Sequence, residues 1–241
     1  MQQHTFMAIA HRGASSYAPE NTPVAYDLAL EMGATHIELD VHLSADGHVV
    51  VIHDDLVDRT TDGSGPVAAH SLAELRALDA GAWFGPAYAG QRIPTLDEVL
   101  ADWGTRAHLH IEIKGRTPGL VERTVALVRR RGLAGSVTIT SFMREALAET
   151  RALAPDLPTG WLVGEVTEEI IEATLALGLT QLCPRADCVS PELVARLHGL
   201  GLVVRAWGVS DEALMRRVAD AGADGMTVNF PDKLLAYVGG E

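Results

Sequence analysis

The chain of 241 residues is 47% hydrophobic, enough to bury a barrel-sized core as one domain over residues 1–241, and no Pro/Ser-rich or charge-run linker divides it. Its 19 basic residues against 32 acidic ones give a formal charge of −13, which excludes a surface built for the nucleic-acid backbone or an anionic membrane. No stretch approaches the roughly 18–20 apolar residues of a membrane span, residues 1–10 lack a signal-like pattern, and Cys183 and Cys188 are spaced for neither a zinc nor a redox pair, which points to a cytoplasmic protein with reduced thiols.

The first strand is predicted at Phe6–Ala10 and the first helix at Pro23–Met32. A second strand, Thr35–Val41, runs into a region of different rhythm: a hairpin-like piece, Leu43–Ile52 turning at Asp46-Gly47, then a loop-rich stretch to Arg92. From there the elements alternate: helix Leu96–Trp103, strand Ala107–Ile113, helix Leu120–Arg131, strand Ser136–Thr140, helix Arg144–Leu153, strand Thr159–Val163 and helix Glu168–Leu177. Strand Thr180–Cys183, helix Pro191–Leu200, strand Leu202–Ala206, helix Asp211–Ala221, strand Gly225–Val228 and a short helix after Pro231 complete the series. Gly33, Gly132, Gly178, Gly201 and Gly222 stand where left-handed C-caps are expected, and Ser190 and Ser210 are placed to cap the helices that follow them. Eight such units fit an α/β fold of the (β/α)8 TIM-barrel type better than an open doubly wound sheet, which usually has fewer strands. The break from about residue 42 to 92 is then an insertion after the second strand, on the face where barrel loops build active sites.

Side chains alternate across a strand, so Ile37, Leu39 and Val41 face the helices while His36, Glu38 and Asp40 point inward. In the Ala107–Ile113 strand, Leu109, Ile111 and Ile113 oppose His110, Glu112 and Lys114 in the same way. Glu38, Asp40 and Glu112 converging in one interior would repel each other unless protonated, paired with Arg12, Lys114 or Arg205, or bound to a divalent metal; all-oxygen ligation suits Mg²⁺ or Ca²⁺ rather than zinc. His11 ends the first strand and His53 the hairpin's second, placing two acid/base groups beside that cluster, while Arg12 and Lys114 supply local positive charge for a phosphate. This is the equipment of metal-assisted chemistry on a phosphate ester. His4, His36, His42, His48, His70, His108, His110 and His198 are read as surface or packing residues. Trp207 ends the seventh strand, either as an apolar wall for a substrate's carbon chain or as core packing. Pro19-Glu20-Asn21-Thr22-Pro23 belongs to the same polar islands, yet also reads as an ordinary helix start with Thr22 at the N-cap and Pro23 at N1.

The ordered set His11-Arg12-Gly13, Pro19-Glu20-Asn21-Thr22, Glu38-Leu39-Asp40-Val41, Asp46-Gly47, Val51-Ile52-His53-Asp54, Arg59-Thr60-Thr61 and Glu112-Ile113-Lys114 resembles the glycerophosphodiester phosphodiesterase family, in particular its compact bacterial cytoplasmic members. The resemblance runs from Ala8 to about Asp232 and implies a TIM-barrel variant with an insertion after the second strand. Carried over by position, it implies that His11 and His53 are the acid/base pair and that Glu38, Asp40 and Glu112 hold one divalent cation, Mg²⁺ or Ca²⁺. Arg12 and Lys114 would contact phosphate, with Trp207 near the substrate and Trp83 or Phe84 of the insertion shaping the glycerol pocket. The implied reaction takes a small-molecule glycerophosphodiester to sn-glycerol 3-phosphate and an alcohol, with water or the substrate's own 2-hydroxyl as nucleophile. A lysophospholipid or sugar-linked phosphodiester substrate, or a non-catalytic protein holding a phosphorylated ligand, are the alternatives. Trp207-Gly208-Val209-Ser210 and Val228-Asn229-Phe230-Pro231 depart from the family's Trp-Thr-Val-Asn and Thr-Asp patterns, which bears on substrate preference rather than on the metal or acid/base groups.

Overall fold

Alternation along short strands decides the architecture. The computed structural model describes residues 6–239, so His4 lies outside the described residues. The strands are β1 (Met7–His11), β2 (His36–Leu43), β3 (Val49–Val51), β4 (His108–Ile113), β5 (Val137–Ser141), β6 (Thr159–Val163), β7 (Gln181–Pro184), β8 (Val203–Ala206) and β9 (Gly225–Val228). Eight of them, all but β3, are parallel and follow one another in the order β1-β9-β8-β7-β6-β5-β4-β2, with β1 pairing back onto β2 to close the ring. This is the expected TIM barrel.

The helices are α1 (Pro23–Glu31), α2 (Leu72–Ala77), α3 (Leu96–Trp103), α4 (Leu120–Arg131), α5 (Arg144–Leu153), α6 (Glu168–Ala176), α7 (Pro191–Gly199), α8 (Glu212–Asp220) and α9 (Pro231–Val238). The five glycines expected as C-caps all have positive φ. Ser190 caps α7 by accepting from the Leu193 N–H, but α8 is capped by Asp211, which accepts from Leu214, rather than by Ser210. The region read as loop contains α2, held by a capping box in which Ser71 and Glu74 satisfy each other's backbone N–H.

Ile37, Leu39 and Val41 are buried with Leu109, Ile111 and Ile113 against Leu96, Val99 and Leu100 of α3 and Leu120 and Val121 of α4. Val204, Ala206, Met226 and Val228 meet α7 and α8 through Val194, Leu197, Met215 and Val218. Burial of each large aliphatic side chain in this layer contributes roughly 1.5–3 kcal/mol, so the helix-facing half of every strand is committed to stability and the inward half is left for polar residues.

Val41 pairs with Ile113 on one edge of β2 and with Val51 of antiparallel β3 on the other, where β1 has ended its pairing at Glu38. The insertion therefore begins as an outward continuation of a barrel strand. Beyond it Val50, Ile52, Val57, Val67, Leu75, Ala80 and Ile93 form a separate small cluster. That cluster anchors the segment carrying His53, Asp54 and Arg59 at the C-terminal face of the barrel.

Candidate active site

The site begins where β1 stops. Among the described residues, Arg12 and Asn21 are the non-glycine positions with left-handed backbones, φ 55° and 57°, and the Asn21 N–H donates to the Arg12 carbonyl at 3.0 Å. Such conformations cost on the order of 1–3 kcal/mol each and persist where surrounding contacts over-determine them. Gly13 makes the turn possible: a Cβ there would lie 2.6 Å from the backbone of Ala25, so only glycine lets α1 approach. Thr22 does precede Pro23 at the helix start, but its hydroxyl donates to the Pro19 carbonyl instead of capping α1. Both readings of this segment hold together, because Glu20 and Asn21 turn into the site.

Glu38 and Asp40 of β2 and Glu112 of β4 present oxygens within 4.8 Å of one another, and all three are buried. Arg12 reaches Asp40 through Nε at 3.1 Å and donates to Glu20 at 2.8 Å, while its backbone N–H donates to Glu38 at 3.1 Å. Asn21 Nδ2 donates to Asp40 at 2.9 Å and is held by the Tyr26 hydroxyl, which donates to its Oδ1 at 3.2 Å. Lys114 donates to Glu112 at 2.8 Å and stands 3.8 Å from Asp40. Glu38 Oε1 and Asp40 Oδ1 are buried without a hydrogen-bond partner.

Burial, then Asp40 and Glu112, push the Glu38 carboxyl well above its ordinary value, and burial followed by Asp40 pushes Glu112 up to about 7. Burial acts on Asp40 too, but Arg12, His53 and Lys114 outweigh it and hold that carboxyl below its ordinary value. Three hard oxygen donors, two of them orphaned and their charges in conflict, fit a divalent cation of the Mg²⁺ or Ca²⁺ kind. The ion pairs with Arg12 and Lys114, weighed in the sequence as an alternative to metal, are also formed, yet they leave those two oxygens unsatisfied.

His11 Nδ1–H donates to Asn229 Oδ1 at 2.6 Å, so the Nε2 lone pair is left free, 3.9 Å from Glu38. Burial, then the Arg12 cation, push His11 down to about 4. His53 Nδ1–H donates to Asp54, and Arg59 donates to both Asp54, at 2.7 Å through Nε, and Glu20, at 2.9 Å through Nη1. Burial is the main cause lowering His53, opposed by Asp40, and the Arg59 hydrogen bond holds Asp54 well below the carboxylate range. His42 Nε2–H donates to the His53 carbonyl at 3.0 Å, a supporting contact for a residue read from sequence as packing.

A cavity of about 420 Å³ is lined by His11, Arg12, Glu38, His53, Glu112, Lys114, Phe142, Leu162, Arg205, Trp207, Thr227 and Asn229, among others. His11 and His53, read from the sequence as the acid/base pair, Arg12 and Lys114, read as phosphate contacts, and Trp207 all line it. Trp207 stands as a wall: its ring meets Phe142 edge-on at 4.8 Å and its Nε1–H donates to the Val163 carbonyl. Trp83 and Phe84 are not among the lining residues; they pack on each other, with Phe84 against Tyr88, elsewhere on the insertion. Asn229, Asp54, Arg59 and Phe142 were not picked out from sequence as site residues.

The model of the glycerophosphoryl diester phosphodiesterase family matches residues 11–233. The chain belongs to this family. Among relatives, the glycerophosphodiester phosphodiesterase of Bacillus subtilis is 37% identical, covering 94% of this chain and 84% of its own length. That of Caldanaerobacter subterraneus subsp. tengcongensis is 39% identical, covering 96% and 97%. Among solved structures, an Oleispira antarctica phosphodiesterase in complex with the product sn-glycerol-3-phosphate superposes with a TM-score of 0.86 at 34% identity over 96% of each chain. A glycerophosphodiester phosphodiesterase of Agrobacterium tumefaciens gives 0.84 at 32% identity, over 95% of this chain and 98% of its own. As a glycerophosphodiester phosphodiesterase family member the chain is an enzyme, a phosphoric diester hydrolase, and among its described residues no helix is long and apolar enough to cross a membrane.

Proposed function

We propose that the protein hydrolyses glycerophosphodiesters such as glycerophosphocholine or glycerophosphoethanolamine to sn-glycerol 3-phosphate and the free alcohol, in a reaction that depends on a divalent cation and on His11 and His53. The observation that carries this reading is the pair of orphaned carboxylate oxygens on Glu38 and Asp40, beside Glu112, in a cavity both histidines line. Glu38, Asp40 and Glu112 would hold Mg²⁺ or Ca²⁺, which when bound supplies Lewis-acid polarisation of a phosphoryl oxygen. Arg12 and Lys114, both lining the cavity, offset the charge of the remaining phosphoryl oxygens.

His11, neutral with its lone pair on Nε2, takes the proton of the attacking oxygen. His53, whose Nδ1–H is held by Asp54, gives a proton from Nε2 to the departing alcohol, the Asp54 carboxylate stabilising its charged form. Phe142 and Trp207 wall one side of the cavity and favour a compact organic group there. The barrel and the 42–92 insertion work as one domain in this reading, joined at the site by Arg59 on Glu20. A cytoplasmic place of action, consistent with two free cysteines, belongs to the same proposal and is checked by fractionation.

Release of glycerol 3-phosphate from glycerophosphocholine, glycerophosphoethanolamine and a lysophospholipid, with His11→Ala as control, tests the reaction and ranks its alcohols. Trapping a cyclic glycerophosphate in a single turnover identifies the substrate hydroxyl as nucleophile; incorporation of solvent oxygen without that species identifies water. Tight binding of a phosphorylated ligand without turnover under any divalent cation contradicts the catalytic reading.

A further inference from the structure

Arg205 is the largest fully buried side chain among the described residues, 1% exposed, and it lies inside the barrel rather than in the apolar layer. Its Nη1–H donates to the hydroxyl of Thr227 at 2.7 Å, while Nε and Nη2 are buried without a partner. No carboxylate stands within ion-pairing distance of it among the described residues. Its charge acts on Glu38 and Glu112 without pairing to either, so two of its buried N–H groups stay unsatisfied, a cost to folding that a purely structural role does not explain.

Arg205 and Thr227 face the same cavity as His11, Glu112 and Lys114. Thr227 sits one inward position deeper on β9 than Asn229, the partner of His11. Because its oxygen accepts from a permanent cation, the Thr227 hydroxyl has its own proton free to donate, and the guanidinium polarises that donor. A charge-assisted donor at this depth suits a neutral oxygen acceptor beyond the phosphoryl group.

We propose that Thr227, oriented by Arg205, donates to a hydroxyl of the substrate's phosphoglycerol half and thereby sets selectivity for glycerol over hydroxyl-poor phosphodiesters; the inference rests on the hydrolytic reading above. Thr227 is the contacting residue and Arg205 acts through it as a positioning residue. The donor serves the ground state and the transition state alike, so its loss raises KM more than it lowers kcat.

The test is calorimetric binding of glycerol 3-phosphate, 3-hydroxypropyl phosphate and inorganic phosphate to the Mg²⁺-loaded protein and to Thr227→Val, Arg205→Met and Arg205→Lys, with KM and kcat measured alongside. Thr227→Val is expected to weaken glycerol 3-phosphate roughly 10-fold or more, to raise KM similarly at nearly constant kcat, and to leave inorganic phosphate unchanged. Arg205→Met should reproduce that loss with an unchanged or higher Tm, and Arg205→Lys should recover part of it. Equal weakening of all three ligands would place the contact on the phosphoryl group and overturn the assignment, as would no change in any. A large fall in Tm for Arg205→Met with binding intact would make Arg205 structural and overturn its role. Failure of the wild-type protein to bind glycerol 3-phosphate would overturn the hydrolytic reading and this one with it.

Discussion

The lower interior of the barrel and its mouth are built from the same two strands, and they treat buried polar groups in opposite ways. Low in the barrel, His36 and His110 share a hydrogen bond at 3.1 Å and His108 bonds Thr138 at 2.8 Å, with the three rings about 5 Å apart, centroid to centroid. Burial lowers all three, His36 to about 4, so the imidazoles are neutral and bonded to one another or to Thr138, with His110 Nδ1 left without a partner. One or two inward positions higher, Glu38, Asp40 and Glu112 carry conflicting charges and orphaned oxygens. The contrast teaches that the two layers differ in charge: the lower one is built of neutral rings, while the mouth gathers three carboxylates whose charge Arg12 and Lys114 offset only in part, the arrangement the proposed cation site rests on.

The largest break between the two regions is in activity. His11→Ala and His53→Ala are each expected to lower kcat on the order of 10²–10⁴-fold with little change in Tm, measured by product release and thermal unfolding. Glu112→Gln should abolish the metal-induced rise in Tm and most activity while stabilising the metal-free protein by on the order of 1–3 kcal/mol, because it removes a charge the buried site disfavours. A lower Tm for metal-free Glu112→Gln would contradict the charge conflict inferred at the mouth.

Proton linkage separates the regions further. Glu112 is raised from 4.5 to about 7, so its stabilisation of the metal-free fold is fully present below pH 4.5 and is lost as pH rises through about 7. His36 is lowered from 6.5 to about 4, so its contribution is present above pH 6.5 and is lost as pH falls towards 4. Unfolding of the metal-free protein from pH 4 to 8 should show a smaller alkaline loss in Glu112→Gln and a smaller acid loss in His36→Gln. If both variants parallel the wild type, the two layers do not titrate as described. The smallest effect is His36→Gln at neutral pH: about 1 kcal/mol of stability, with kcat unchanged.

Much of this was legible because strands have a period of two. The alternation His36-Ile37-Glu38-Leu39-Asp40 separates the helix-facing face from the inward one, and the same rule on β4 brings Glu112 to the others, paired in register with Asp40. Boundaries mostly moved by a residue, and β2 ran longer because it continues into the hairpin with β3. Residues that depend on ring closure were not legible. Asn229 reaches His11 across 218 positions because β9 closes against β1, and Arg59 reaches Glu20 because the insertion folds back over the β1–α1 loop. Phe142 follows β5 as an isolated aromatic, and only its approach to Trp207 makes it part of a wall. The Ser71-Glu74 capping box was a local signal for α2 within a stretch otherwise read as loop.

The most direct measurement is glycerol 3-phosphate release from glycerophosphocholine by metal-stripped protein, before and after adding back Mg²⁺ or Ca²⁺, alongside Glu112→Gln. Activity absent in the stripped protein, restored by one of these ions and not restored in Glu112→Gln, is the expected result. Full activity in rigorously stripped protein, or equal restoration in Glu112→Gln, would contradict the reading of Glu38, Asp40 and Glu112 as a cation site.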